Sequence, residues 1–391
     1  MHADALHQEA KVLLDLVDRN TCTLADSIME IDSAEYADAA QFERERIALF
    51  RNYPQFVGPS CLLPKPGDFY AFDDTGIPLI IVRKHDGSLG AFLNICSHRG
   101  APLGDGLGQA KKQKLLSCPY HAWAYDLDGA LVGVPFGQEG FTDLDKSTRC
   151  LKTVDVQEQD SMIFVLPNPK GSFDIAETLG GIGPQFAGFG LNSHHVFGIK
   201  RVETNLSWKL NMDTFHEFYH FDSLHPDTIA QMSYNNVCHY QQFGRNHAMT
   251  SPSLAINELR DQDEANWQPR EYMSFVYYLF PNTVIFVVAD HFQTWRVYPV
   301  SRDRSVVYHS MFLPELPTSA EEREEKEAFF QMINDVAVTE DYTLVEKIQR
   351  TLNAGIERSV LVGRNEPGVQ NMHRQIRELL SPADVIRLQN T

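Results

Sequence analysis

"CSHRGAPLGDGLGQAKKQKLLSCPYH" spans Cys96 to His121 and carries a cysteine and a histidine at each end. The first pair is Cys96-x-His98 and the second is Cys118-x2-His121, with nineteen residues between His98 and Cys118. Turn-prone residues follow both, "RGAPLGDG" after the first and "AWAYDLDG" after the second, which places the pairs on loops. Two thiolates and two imidazoles suit a tetrahedral structural zinc. They also suit a two-iron, two-sulfide cluster, in which two cysteines hold one iron and two histidines the other. Zinc fingers usually group like with like. Here each pair is mixed, and a mixed pair supplies one ligand to each of two irons. The alternative without metal is four buried side chains that ligate nothing.

Around this stretch the texture is that of an all-β domain. Between about residue 53 and residue 165, short apolar runs ("PLIIVRK", "LGAFLNI", "SMIFVLP") alternate with turn signals ("DDTG", "HDGS", "DLDGA"). Residues 1–50 read as mostly helical, from the apolar spacing in "AKVLLDLVDRN" and "FERERIALF". "PNPKGS" at 167–172 marks a boundary, which divides the chain into 1–50, 51–168 and 169–391. In the last part a helix is expected around 206–224. Strand-like runs follow ("SFVYYLF", "NTVIFVVA", "QTWRVYPV", "VVYHSMFL"), then a long helix from about 318 to 354 capped by Thr318 or Ser319. The tail "LLSPADVIRLQNT" suggests a final helix.

Composition narrows the classes. The chain has 391 residues and a formal charge of -18, which argues against binding nucleic acid through a basic surface. No apolar run approaches the roughly 20 residues that span a bilayer. The N-terminus lacks the apolar core of a signal peptide, so a cytoplasmic protein is expected. Six cysteines in so long a chain favour metal ligation over a disulfide scaffold.

A second constellation lies in "WKLNMDTFHEFYHFDSLHP", residues 208–226. On a helix, Glu217 and His220 share a face. His225 falls away from that face, but Pro226 disfavours helix at His225, which lets its ring swing back toward His220. Two imidazoles plus one carboxylate make the facial triad of non-haem iron(II) oxygenases. "VTEDYTLVEKIQRTL" (338–352) offers Glu340 and Asp341 for the third place. On a regular helix Asp341 shares a stripe with Ala337, Val338, Leu344, Val345, Ile348 and Leu352, whereas Glu340 shares the solvated face of Thr343 and Lys347. A carboxylate on an apolar stripe is costly unless paired or metal-bound, so Asp341 is the expected ligand and Glu340 a surface residue.

The pattern "CxHRGxxL…CPYHxWxYxxxG" resembles the Rieske domain of the ring-hydroxylating oxygenase family, and extends past the ligands to Arg99, Gly100, Tyr120, Trp123 and Gly129. The two-His segment and "TEDYTLVEKIQRTL" resemble that family's catalytic domain. The resemblance implies an α+β chain, with an all-β Rieske [2Fe-2S] domain and a catalytic domain whose antiparallel sheet is flanked by helices. It implies a cluster on Cys96, His98, Cys118 and His121, and a mononuclear Fe(II) on His220, His225 and Asp341. Glu217 takes the place of an Asp that bridges a neighbouring subunit's Rieske histidine to an iron histidine and passes electrons between subunits. Glu also occurs there in the carnitine-type branch. Asp213 is expected to accept a hydrogen bond from an iron-bound histidine, although Thr214 stands where many members have Asn. The segment between the Cys/His pairs is slightly longer than usual.

By the same resemblance, NAD(P)H electrons arrive through a reductase, with or without a ferredoxin. The enzyme then uses O2 to hydroxylate or oxidatively demethylate a small molecule, as a homotrimer or with small β subunits. The aromatic and aliphatic strands at 271–297 favour an apolar, aromatic substrate and a place in aromatic hydrocarbon catabolism. A quaternary amine of carnitine or choline type is the alternative, held by an aromatic cage drawn from Tyr277, Tyr278 and Trp295. His291 reads as a core histidine. Lys111, Lys112 and Lys114, with Arg99, suggest either a docking loop for the redox partner or a solvated surface. A different class altogether is a Rieske electron carrier without catalytic iron.

Overall fold

Runs such as "LIIVR" and "MIFV" are short, β-branched and apolar on both sides, so they form strands only where both faces are covered. The computed structural model describes residues 3–110, 115–356 and 359–380. The three lysines at 111–114 and the tail from 381 therefore lie outside the described residues. The chain divides into two compact units, one of residues 46–175 and one that joins the N-terminal segment to Ala176 onward.

The first unit is all-β in its regular core. Its strands are β1 (Gln55–Pro59), β2 (Asp68–Phe72), β3 (Leu79–Arg83), β4 (Leu89–Leu93), β5 (Gly106–Gln109), β6 (Leu116–Ser117), β7 (Ala124–Tyr125), β8 (Leu131–Gly133), β9 (Val156–Gln159) and β10 (Met162–Val165). They make three antiparallel sheets, ordered β4-β3-β2-β5, β9-β10-β1 and β6-β7-β8. Ile80, Val82 and Phe92 of the largest sheet pack with Leu116, Trp123 and Tyr125 in one core, and Cys96 and Cys118 lie in it. "PNPKGS" is a turn inside this unit, not its edge. Beyond it, Phe173 N donates to Asp155 Oδ2 (3.0 Å) and Ile175 N to Gln157 Oε1 (3.2 Å), which ties the chain back to β9.

The second unit is built on a seven-stranded antiparallel sheet. Its strands are β11 (His195–Thr204), β12 (His239–Phe243), β13 (Asn246–Pro252), β14 (Met273–Leu279), β15 (Thr283–Val287), β16 (Phe292–Ser301) and β17 (Arg304–Leu313). Their order is β11-β17-β16-β15-β14-β13-β12. Register fixes which side chains share a face: His247, Tyr278, Val284, Trp295 and His309 stand opposite one another in a row across five strands. Flanking helices are α1 (Ala3–Asp18), α2 (Ala34–Ala37), α3 (Trp208–Asp213), α4 (Phe221–Leu224), α5 (Ala320–Asp335), α6 (Thr343–Asn353) and α7 (Pro367–Leu379). The N-terminal segment packs on this sheet. His239 Nδ1 meets Glu9 Oε1 on α1 at 2.9 Å, and Arg260 Nη2 donates to Asp18 at 2.7 Å.

Two helices depart from the sequence expectation. The helix expected over 206–224 is two short ones, α3 and α4, with residues 214–220 between them. Ser207 caps α3 by accepting from Leu210 N (3.2 Å). The break follows from "TFHEFY", rich in β-branched and aromatic residues, and from Glu217, whose carboxylate accepts from the backbone of Tyr219 and of His220 (3.2 Å for the latter). The long C-terminal helix begins as read, with Ser319 and Glu322 forming a capping box. It then widens into a π-helical stretch, Val336–Tyr342, before α6.

Lys209 and Glu45 form an ion pair with side chains 1% and 2% exposed. Trp208 Nε1 donates to the other carboxylate oxygen at 2.9 Å, and Lys209 also donates to Glu35 O. Removing one partner of such a pair leaves an uncompensated buried charge. Lys209→Met is therefore expected to destabilise the second unit by about 3–5 kcal/mol, read as a lowered denaturant midpoint at unchanged slope.

Candidate metal centres

Two matched loops carry the Cys/His pairs. After β4, Cys96 N donates to Ala101 O (2.8 Å) and Gly100 N donates back to Cys96 O (2.9 Å). Between β6 and β7, Cys118 N donates to Trp123 O (2.8 Å) and Ala122 N donates back to Cys118 O (3.0 Å). The offsets are the same in both loops. Gly100 and Ala122 occupy the same place in each, at φ +80° and +56°, the left-handed conformation that closes so tight a turn.

The donor groups converge. Cys96 and Cys118 are buried, while the His98 and His121 rings face each other 4.8 Å apart nearer the surface. His98 stacks flat on Trp123 (4.7 Å, 9°), and Tyr120 stacks on His121 (3.7 Å). Tyr125 Oη lies 3.3 Å from Cys96 Sγ and accepts from Ser97 N at 2.9 Å. Burial raises the pKa of the Cys118 thiol and the Cys96 thiol adds to it, while the backbone amides of Tyr120 and His121 oppose the rise. Two thiols pressed together in a core, each loop also offering one imidazole, fit a cluster that takes one Cys and one His from each loop.

In the second unit His220, His225 and Asp341 come together, with one donor atom of each lying within 4.8 Å of the others. Asp341 Oδ1 is 3.5 Å from His220 Nε2 and 3.2 Å from His225 Nε2. The two imidazole centroids are 5.0 Å apart. His225 closes the single turn of α4, its N donating to Phe221 O at 2.9 Å, and Pro226 stops the helix there. Each imidazole is oriented from behind by its own carboxylate, His220 Nδ1 by Glu217 Oε1 and His225 Nδ1 by Glu340 Oε2 (2.6 Å). Thr228 Oγ1 donates to the same Glu340 oxygen at 3.0 Å. Burial works against charging His225, but Asp341 and Glu340 outweigh it and hold its pKa above the ordinary value. With the Nδ1 protons engaged, both Nε2 lone pairs turn toward Asp341, the arrangement that a mononuclear metal uses.

Two expectations need correction. Glu340 is not a solvated surface residue but the partner of His225. The π-helical stretch rephases the helix, so Glu340 and Asp341 both reach the histidines, while Leu344 and Ile348 turn out 42% and 41% exposed. Asp213 does not touch either histidine of the triad. Its carboxylate accepts from Tyr36 Oη (2.8 Å) and meets His373 Nε2 (3.0 Å). Neither Tyr36 nor His373 carried a signal, because they come from opposite ends of the chain.

The segment bearing the histidines lies over one sheet face. Phe215 packs on Trp295 (5.2 Å) and Phe286 (6.2 Å), and His216 on Tyr278 (4.5 Å). Trp295 stacks on His309 at 3.6 Å. Tyr277 belongs to the opposite face, against Phe186 (4.7 Å), and cannot join a cage here. His291 is a buried, satisfied histidine, its Nδ1 on Asp290 (2.8 Å) and its Nε2 accepting from Gln293 Nε2 (2.8 Å).

These two centres define an oxygenase of the Rieske type. The chain belongs to the ring-hydroxylating oxygenase alpha-subunit family: residues 54–165 match the Rieske [2Fe-2S] domain and residues 191–382 the ring hydroxylating alpha subunit catalytic domain. It is an oxidoreductase that uses a [2Fe-2S] cluster and a mononuclear iron, with electrons from a reductase and a small-molecule substrate. It is 25% identical over 342 residues to the carnitine monooxygenase oxygenase subunit of Escherichia coli (strain K12), covering 86% of this chain and 87% of that one. It is 29% identical over 239 residues to the glycine betaine monooxygenase oxygenase subunit of Chromohalobacter salexigens, 60% of this chain and 50% of that one. A crystal structure of a quaternary ammonium Rieske monooxygenase shares the fold, with a TM-score of 0.77 at 20% identity, over 90% of this chain and 96% of that one. Among the described residues no helix is long and apolar enough to cross a membrane.

Loss of a carboxylate behind a metal-binding histidine typically weakens the metal 10- to 100-fold. Glu340→Ala is expected to lower affinity for ferrous iron by about that factor, while acid-labile sulfide in the first unit stays unchanged; titration of iron into the chelator-treated protein checks it.

Proposed function

We propose that this chain is the oxygenase component of a monooxygenase acting on an N-methylated, quaternary amine. The observation that carries the catalytic reading is the His220, His225 and Asp341 cluster, in which each imidazole is backed by its own carboxylate. Cys96, His98, Cys118 and His121 would hold the cluster, and His220, His225 and Asp341 the iron. When bound, the two centres supply the redox chemistry: the cluster relays single electrons and the mononuclear iron activates O2.

The protein's residues then have separate tasks. Glu217 holds His220 Nδ1 and leaves its Nε2 free for metal, with a carboxylate 13% exposed. That exposure suits contact with a Rieske histidine of a neighbouring copy, and a homotrimer with electron transfer between subunits is the assembly we infer. Asp341 closes the triad on one side only. Phe215 and Phe286, both partly exposed, offer ring faces on the sheet side of the segment that carries the histidines, and ring faces attract a quaternary ammonium. Trp295 is buried beneath Phe215 against His309.

The substrate class is supported by the carnitine and glycine betaine relatives and by Glu217, which resembles the carnitine-type branch. Neither speaks for aromatic hydrocarbon catabolism. The same ring faces would also stack a flat apolar ring, so the aromatic reading stays as the second one.

Metal analysis tests the site and turnover tests the substrate. About three irons to two sulfides are expected in the anaerobic parent protein, and about two to two in Asp341→Ala. With reductase and NADH, O2 uptake should rise with carnitine, glycine betaine or choline and not with naphthalene or anthranilate. The reverse pattern would install the aromatic reading, and two irons to two sulfides in both proteins after ferrous iron is supplied would leave only an electron carrier.

A further inference from the structure

The Asp213 carboxylate is held by a charged cluster that the triad does not use. His373, on α7, is fully buried. Its Nε2 lies 3.0 Å from Asp213 Oδ1 and 3.1 Å from Tyr36 Oη, and Tyr36 Oη donates to Asp213 Oδ2 at 2.8 Å. On its other side His373 Nδ1 faces Glu35 Oε2 at 3.8 Å, and neither of those two buried atoms has a hydrogen-bond partner. Arg377 pairs with Glu35 Oε1 at 2.8 Å. One imidazole thus stands between two carboxylates, out of reach of water. Its pKa is raised: burial opposes the charge, and Asp213 and Glu35 overcome it.

The cluster backs the turn that carries Glu217. Asp213 ends α3, its carbonyl accepts from His216 N (3.1 Å), and Glu217 is the next residue. Helix α7 supports the same turn at two further points. A Cβ on Gly368 would stand 2.6 Å from His216 O. Asn371 Nδ2 meets His247 Nδ1 at 3.1 Å, and the His247 ring packs on His216 (4.9 Å). Of the three supports only the His373 one carries charge. We propose that His373 is a positioning residue for the Glu217 turn, and that its protonated form sets the alkaline limit of electron delivery to the iron. The inference rests on the role assigned to Glu217 above.

The sign follows from the neighbours. Groups facing His373 are Tyr36 and Glu35 from α2, Asp213 and Lys209 from α3, His216 beyond it, and Arg377 on its own helix. Asp213 and Glu35 favour the charged imidazole and Lys209 disfavours it. Because the folded pKa is raised, the stabilisation is complete below the unfolded value and is lost as pH rises through the folded one. Above that pH, Asp213 keeps only neutral donors and the turn loosens.

The test uses the reduced holoenzyme, mixed with O2 and a quaternary amine, and follows the visible absorbance of the cluster as it reoxidises across neutral to alkaline pH. In the wild type the rate should fall on the alkaline side. His373→Gln should be slower by about 10- to 100-fold at neutral pH, the scale of a small misplacement, and should lack that fall. Glu35→Gln, nearer the surface, should fold normally and move the fall to lower pH. Thermal unfolding gives a second readout that needs no turnover: the melting gap between wild type and His373→Gln should narrow as pH rises. A narrowing gap with unchanged reoxidation would overturn the proposal, since His373 would then be structural only. So would a gap independent of pH, or a Glu35→Gln profile superimposed on the wild type. A wild type whose cluster never reoxidises with iron bound would overturn the oxygenase reading itself, and this inference with it.

Discussion

An imidazole that is to bind metal through Nε2 must have its Nδ1 proton engaged elsewhere, and a carboxylate is the strongest acceptor a buried site offers. Meeting that requirement twice within a few ångströms shapes the second unit. Glu217 and Glu340 come from distant parts of the chain, and each must arrive behind one histidine while Asp341 stands in front of both. A regular helix over 206–224 would put His225 on the wrong side, and a regular helix at 336–342 would send Glu340 into solvent. The chain is irregular at both places, and the irregularities serve the same three side chains.

Each irregularity has a local cause and a distant support. Glu217 breaks the helix by accepting backbone amides at its own turn, and that same carboxylate then holds His220. The break leaves a turn held by i→i−3 bonds, Phe215 N to Met212 O and His216 N to Asp213 O, and α7 packs closely against it. The aromatic sheet face beneath, with Trp295 stacked on His309 and Phe215 on Trp295, supplies a rigid floor. Preorganisation of this kind lets a site bind metal and substrate without paying for reorganisation.

Much of this was legible from sequence where the relevant contacts are local. Cys96 with His98 and Cys118 with His121 are each fixed by a turn of a few residues, so spacing alone brings the members of each pair together, whereas the meeting of the two loops depends on the core they share. His220 and His225 were legible for the same reason, helped by Pro226. The cost of burying a carboxylate pointed to Asp341, which does lie beside both histidines; of its expected stripe Ala337 and Val345 are buried, while Leu344 and Ile348 are exposed. Glu340 was misread because helical periodicity of 3.6 fails across a π-helical stretch, and no residue pattern announces one. The partners of Asp213 were invisible because Tyr36 and His373 are brought to it only by tertiary packing.

The two cluster loops repeat one hydrogen-bond scheme at the same offsets from Cys96 and Cys118, with Gly100 and Ala122 in matching left-handed positions. Each loop is therefore a self-contained bracket, whose shape depends on its own six residues and on the core behind it. The described chain between the brackets is not slack: it forms β5 (Gly106–Gln109) at the edge of the unit's largest sheet and β6 (Leu116–Ser117) leading into the second bracket. The brackets hang on different sheets, the first after β4 and the second between β6 and β7, and one core packs those sheets together. Each loop's shape is thus local, while the spacing of the two loops is set by core packing, so a substitution such as one at Phe92 or Leu131 can reach the redox centre without touching a ligand.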